Sequence, residues 1–153
     1  MTRIMIPWRS WVLVADGAKA IVFRNLGDAD LINLDVVEAI AEPHATTRNL
    51  GADRPGRVHA SCGEARSAVD DLDLHRAAEA GFLGRVAKRL DDLLREHSHP
   101  DLVIVAPPRE LGVLRSHLTP DARKCVTAEI AKDFVHMTTA EIERRLVSSP
   151  ATV

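Results

Sequence analysis

Apolar and polar positions change period several times along the chain, and each change marks an element. Trp11-Val-Leu-Val-Ala15 is an unbroken apolar run, the pattern of a strand covered on both faces. Asp16-Gly17 follows as a two-residue hairpin signal, because glycine accepts the positive φ that such turns use. Ala18-Lys-Ala-Ile-Val-Phe-Arg24 returns as a second strand, and Asn25-Leu-Gly-Asp28 turns the chain again. Ile32, Leu34 and Val36 alternate with Asn33 and Asp35, which predicts a third strand with one wet face. Three strands joined by short turns form an antiparallel meander.

From Glu42 to about Asp71 the periodicity disappears. Pro43, Gly51, Pro55, Gly56 and Gly63 punctuate a polar stretch that holds Arg48, Arg54, Arg57 and Arg66. A loop of this length inside a compact domain is uncommon and is often functional or mobile. A helix then follows, with Leu83, Ala87, Leu90 and Leu94 on one face, widened by Phe82, Val86 and Leu93. Asp70, Asp71 and Asp73 are its capping candidates. Glu96-His-Ser-His-Pro100 ends it.

Leu102-Val-Ile-Val-Ala106 is the second fully apolar strand. Pro107-Pro108 stops it and starts a helix, with Pro108 at a first helical position and Leu111, Leu114 and Leu118 as the inward stripe. Thr119-Pro120 opens a short turn or helix. Val126, Ala128 and Ile130 alternate with Thr127 and Glu129 in a last strand. Thr138-Thr-Ala-Glu141 is a capping box that introduces a helix through Leu146. The order β-β-β-α-β-α-β-α predicts a single α/β domain over residues 9–147, with a flexible tail at 148–153. Its mixed five-stranded sheet has ribonuclease-H-like topology, and the two most apolar strands lie at the centre.

Composition narrows the function classes. The chain has 153 residues, 46% hydrophobic and 27% charged, which suits one ordinary globular domain. Aromatic residues reach only 3%, with no tyrosine, so a nucleic-acid surface would have few rings on which to stack bases. The net charge of -2 and pI of about 6.4 argue against a strongly basic nucleic-acid binder and a polybasic membrane anchor. Cys62 and Cys125 lack C-x-x-C spacing and read as free thiols of a reducing cytosol. Met1 to Val14, interrupted by Pro7 and Arg9, does not read as a signal peptide, and no apolar run approaches membrane-spanning length. The expected location is cytoplasmic, without membrane association.

Several stretches together resemble the bacterial host attachment protein family: Trp11-Val-Leu-Val-Ala-Asp-Gly-Ala18, Arg54-Pro-Gly-Arg57, Val105-Ala-Pro-Pro-Arg109 with Leu111-Gly112 and Leu114-Arg115, and Glu129-Ile-Ala-Lys-Asp133. The resemblance runs from about Trp11 to Leu146. It implies a domain similar to the middle domain of archaeal and eukaryotic release factors, and hence a role near the ribosome or another RNA. In release factors a Gly-Gly-Gln loop ahead of a long helix promotes peptide release. The matching Pro55-Gly-Arg57 has neither the paired glycines nor the glutamine, so that activity is not expected.

Catalytic patterns are sparse. Asp16, at the end of the first strand, stands where one carboxylate of a two-metal nuclease would sit, but Ala106-Pro107 brings no acid to join it. Glu79 and Asp91 read as solvated-face residues. Ser61 and Cys62 lie close to His59, without the order of a hydrolytic triad. His97 and His99 flank a helix end, His75 and Glu79 share a helical face, and His44, His117 and His136 have no partner visible in sequence. Neither a nucleophile elbow nor a phosphate-cradling Walker loop occurs.

The remaining candidate is a phosphate or RNA site at Arg48, Arg54, Gly56 and Arg57, joined by Lys132. Arginine's planar, permanent charge suits phosphate, and Gly56 lets the backbone come close. Asp16 and His59 are secondary candidates. The leading expectation is therefore a non-enzymatic binding module that contacts RNA or the ribosome through the 48–66 loop, with no cofactor and no metal. A cryptic hydrolase or metal-dependent nuclease is one alternative, and a regulatory scaffold acting through protein partners is another. Homodimerisation through a sheet edge is a further expectation for partners.

Overall fold

The computed structural model describes residues 4–42 and 64–150, with side chains of the first long helix described from Asp71 onward. Five strands, β1 (Trp11–Ala15), β2 (Lys19–Asn25), β3 (Leu34–Ala41), β4 (Leu102–Ala106) and β5 (Val126–Ala131), form one sheet of order β3-β2-β1-β4-β5. The β1–β2 and β2–β3 pairs are antiparallel, whereas β1–β4 and β4–β5 are parallel. The mixed five-stranded sheet and the central position of β1 and β4 are as the pattern requires. Four helices among the described residues cover it: α1 (Glu64–Glu96), α2 (Pro108–His117), α3 (Pro120–Cys125) and α4 (Thr139–Ser148).

The unbroken apolar runs are explained by burial on both sides. Trp11, Leu13 and Ala15 of β1 join Leu102, Ile104 and Ala106 of β4 in a core under α1 and α2. Val12 and Val14 join Val103 and Val105 in a second core, closed by Ile142 and Leu146 of α4 and by Ile4 and Ile6 of the leading segment. Fully burying one such aliphatic side chain contributes about 1.5–3 kcal/mol before chain entropy is subtracted.

Two bulges correct the simple alternation. In β3 the register shifts opposite Val22 and Phe23, which pair with Glu38 and Val36. Leu34 faces the second core and Val36, on the same side of the strand ahead of the shift, is 52% exposed; from the shift onward Val37 and Ile40 pack on the first core. In β5 the shift between Leu102 and Val103 skips Thr127, so Val126 packs on the first core while Ala128 and Ile130 face the second. The extra residue of a bulge inverts the face of everything beyond it.

Helix α1 also begins earlier than its apolar stripe. Asp70, Asp71 and Asp73 lie inside it rather than capping it, because neither glycine nor proline interrupts Glu64–Ala80 and its residues are mostly good helix formers. A helix of 33 residues is about 50 Å long, three times the span of a five-residue strand. Its buried face starts only at Phe82, and residues 71–78 are exposed. The helix ends at Glu96 as expected, with Ser98 and His99 at positive φ and the His99 N–H donating to Leu94 O at 2.7 Å. Pro108 begins α2 as expected, and Thr138 and Glu141 form the reciprocal capping box of α4.

Candidate functional site

β1, β4 and β5 run in the same direction, so their carboxyl ends lie side by side. In open α/β sheets this rim is where ligands bind, because the chain leaves the sheet there and its loops diverge. A cleft of about 1100 Å³ opens at the rim. Asp16 to Ala18 of the β1–β2 turn, Pro107 after β4 and Asp133 after β5 line it, together with Glu42 and the His75–Glu79 turn of α1.

The β1–β2 turn is held by Asp16. One carboxylate oxygen, Oδ1, accepts the N–H groups of Ala18 at 2.9 Å and Lys19 at 2.8 Å. The Asp16 N–H donates to Lys19 O at 2.9 Å, which closes the turn. Gly17 is not needed for a positive φ here. A side chain at Gly17 would run into Glu79, with its Cβ 2.7 Å from Glu79 Cγ. Close approach of the Glu79 side chain to the turn is therefore what favours the glycine.

Glu79 is a hub rather than a solvated-face residue. Its side chain is only 16% exposed; Arg109 Nη2 donates to Oε1 at 2.8 Å and His75 Nε2 lies 3.7 Å away. Glu42 is buried and accepts from Arg85 Nη2 at 2.8 Å. Asp91, the other acid expected on a wet face, is also buried; it accepts Thr119 Oγ1–H at 2.8 Å and pairs with Arg95 at 2.6 Å. Apolar periodicity marked α1's inward face but gave no sign of these long-range polar partners.

The acid that the sequence did not bring to Asp16 comes from β5. Asp16, Asp133 and His136 place potential ligand atoms within 4.8 Å of one another. Asp16 Oδ2 lies 3.6 Å from His136 Nε2, while Asp133 Oδ1 accepts the Val135 N–H at 3.3 Å. Two carboxylate oxygens and an imidazole nitrogen form a donor set for a divalent first-row ion. His136 thus has the partner that sequence alone did not reveal. The signal lay in Lys132-Asp133 just after the last strand, which becomes meaningful only once β5 is parallel to β1.

Electrostatics separate the cleft from the arginine candidates. Asp16, Glu42, Asp71, Glu79, Glu110 and Asp133 line it, and the nearby Arg85 and Arg109 are already ion-paired. Such a wall attracts cations and repels phosphate. Lys132 is exposed beside Asp133 and makes no ion pair among the described residues. Arg48, Arg54, Gly56, Arg57 and His59 lie outside the described residues.

The match to known proteins follows the motif residues around this rim. A family described as proteins required for attachment to host cells matches residues 11–146. The chain belongs to that host attachment family. Within the family's span lie both the Asp16-Gly17 turn and the Asp133 end of β5. An uncharacterized protein of Rickettsia prowazekii is 32% identical over 83 residues, covering 53% of this chain and 52% of the relative. The match thus spans about half the length of that relative. No helix among the described residues is long and apolar enough to cross a membrane.

Proposed function

We propose that this host attachment protein is a non-enzymatic binding module that contacts ribosomal or other RNA through the arginine-bearing segment ahead of α1. The carrying observation is the length of α1 relative to the core. The buried stripe begins at Phe82, whereas the helix begins at Glu64 and residues 71–78 are exposed. A helix that begins ahead of its buried face leaves its first turns open to a large partner without opening the core. Arg54 and Arg57, which precede it in the sequence, are of the residue type that binds phosphate. The acidic rim, in turn, disfavours phosphate within the cleft, so contact is expected to be end-on. In this reading the protein works inside the cell, and its effect on attachment is indirect.

The test is co-sedimentation with ribosomes from its own lysate on sucrose gradients, at low and moderate salt, beside an Arg54→Ala/Arg57→Ala variant. Native protein travelling with ribosomal particles while the variant stays at the top supports the reading. Moderate salt should weaken the association, because phosphate contacts release counterions. Both proteins remaining at the top under every condition removes ribosome binding and leaves a protein partner to be sought.

A second reading has one observation behind it, the Asp16–Asp133–His136 donor set. A divalent ion held there would supply Lewis acidity for a hydrolase or nuclease. Manganese-dependent cleavage of nucleic acid that Asp133→Asn abolishes would replace the binding-module reading. Equal, metal-independent inactivity of both proteins would remove the enzyme.

A further inference from the structure

A second cavity, of about 470 Å³, opens between α2, α3 and the edge strand β5, and shares no lining residue with the acidic cleft. Its volume falls in the range typical of small-molecule sites, roughly 300–1,000 Å³. Leu118 and Val126, both on the first-core side of the sheet, line it with apolar surface, beside Ala128, whose side chain belongs to the second core. Gly112 leaves its α2 wall open, since a Cβ there would meet nothing within 4 Å.

The polar rim holds two arginines and one carboxylate. Arg115 is committed to Glu129 through Nε at 3.0 Å and Nη2 at 2.6 Å, a two-point clip between α2 and β5. Arg123 makes no such commitment. Its Nη2 donates to Arg115 O at 2.8 Å, and it forms no ion pair among the described residues. Two positive groups against one negative leave the rim with a single surplus positive charge beside an apolar surface.

We propose that this cavity binds a small amphipathic monoanion, an aliphatic or aryl monocarboxylate. Its tail covers Leu118 and Val126, and its carboxylate accepts the free N–H groups of Arg123. A neutral analogue fills the apolar part but leaves Arg123 without an anion. A dicarboxylate brings its second charge towards Glu129. The planar guanidinium fork favours a carboxylate over a solvated hydroxyl.

The test titrates the full chain with octanoate and 4-phenylbutyrate by calorimetry, with octan-1-ol as the neutral control. Saturable binding of at least one acid, tighter than that of the alcohol, is expected. Arg123→Gln should weaken it about tenfold, the effect of losing one charge-assisted hydrogen bond. Gly112→Leu should abolish it by filling the cavity while Arg123 stays in place. Leucine favours a helix more than glycine does, so unchanged circular dichroism would separate blocking from unfolding. Absence of saturable binding by both acids, equal affinity for octan-1-ol, or wild-type affinity in Arg123→Gln would each overturn the proposal.

Discussion

Glu79 lies so close over Gly17 that a Cβ built on the glycine would come within 2.7 Å of Glu79 Cδ. The contact joins the β1–β2 turn to α1 and leaves the Glu79 carboxylate free to meet Arg109 and His75. Gly17→Ala should fold, because the clash is with the movable end of a side chain. It should displace Glu79 and break its 2.8 Å contact with Arg109. The stability loss should be within about 1 kcal/mol, the scale of a partly exposed ion pair. Chemical shifts of the Arg109 side chain should move while those of the core methyls stay; an unmoved Arg109 would show that the contact is not coupled to the turn.

Helix α1 should respond very differently along its length. Leu90 is 1% exposed in the first core, and Leu90→Ala should cost roughly 2–5 kcal/mol through lost burial and a residual cavity. Leu72, on the same helix but 47% exposed, should cost less than about 0.5 kcal/mol when replaced by alanine. Urea denaturation of the two variants measures both. Similar losses would contradict the division of the helix into a packed and an unpacked half.

Asp91 and Thr119 should be energetically coupled. The Thr119 side chain accepts the Ala122 N–H as the cap of α3 and donates to Asp91 at 2.8 Å. Thr119→Val should cost about 1 kcal/mol for the lost cap, and Asp91→Ala about 1 kcal/mol for the lost hydrogen bond to the partly buried Thr119. The double variant should lose measurably less than the two costs added, since both break one network. Simple additivity in thermal unfolding would mean that the two side chains act independently.

A pH dependence arises on the outer strand. Arg89 donates two hydrogen bonds to Glu38, at 2.8 and 2.9 Å, and these hold the Glu38 carboxyl below its ordinary value. A folded-state value lowered in this way stabilises the protein above the unfolded value, and the contribution fades as pH falls through the folded one. The gap in melting temperature between wild type and Glu38→Gln should therefore be largest near neutrality and close in acid. Added salt should narrow it at neutral pH, because both side chains are partly exposed. A gap that widens in acid would reverse the assigned direction.

What could be read from the sequence was whatever is encoded locally. The runs at Trp11–Ala15 and Leu102–Ala106 are apolar throughout because helices or the leading segment cover each face, so both strands and their central position were evident. The Thr138–Glu141 box is two hydrogen bonds between near neighbours, and it too was plain. Val126 was grouped with Ala128 and Ile130 because a bulge adds one residue without any composition signal. Asp70, Asp71 and Asp73 looked like caps because acids suit a first turn, yet they also tolerate an exposed helix interior. The Asp16–Asp133–His136 group could not be read at all, since it exists only where the ends of parallel strands meet.

Because α1 outruns the sheet, the molecule is built like a tool with a head and a shank. The head is fixed by interlocking methyl groups from Phe82 onward, and almost any change there is felt throughout. Along residues 71–78 the shank buries no side chain in either core, so single substitutions on its outer face leave the head standing. Selection can therefore alter the exposed half of the helix while the fold that carries it stays the same.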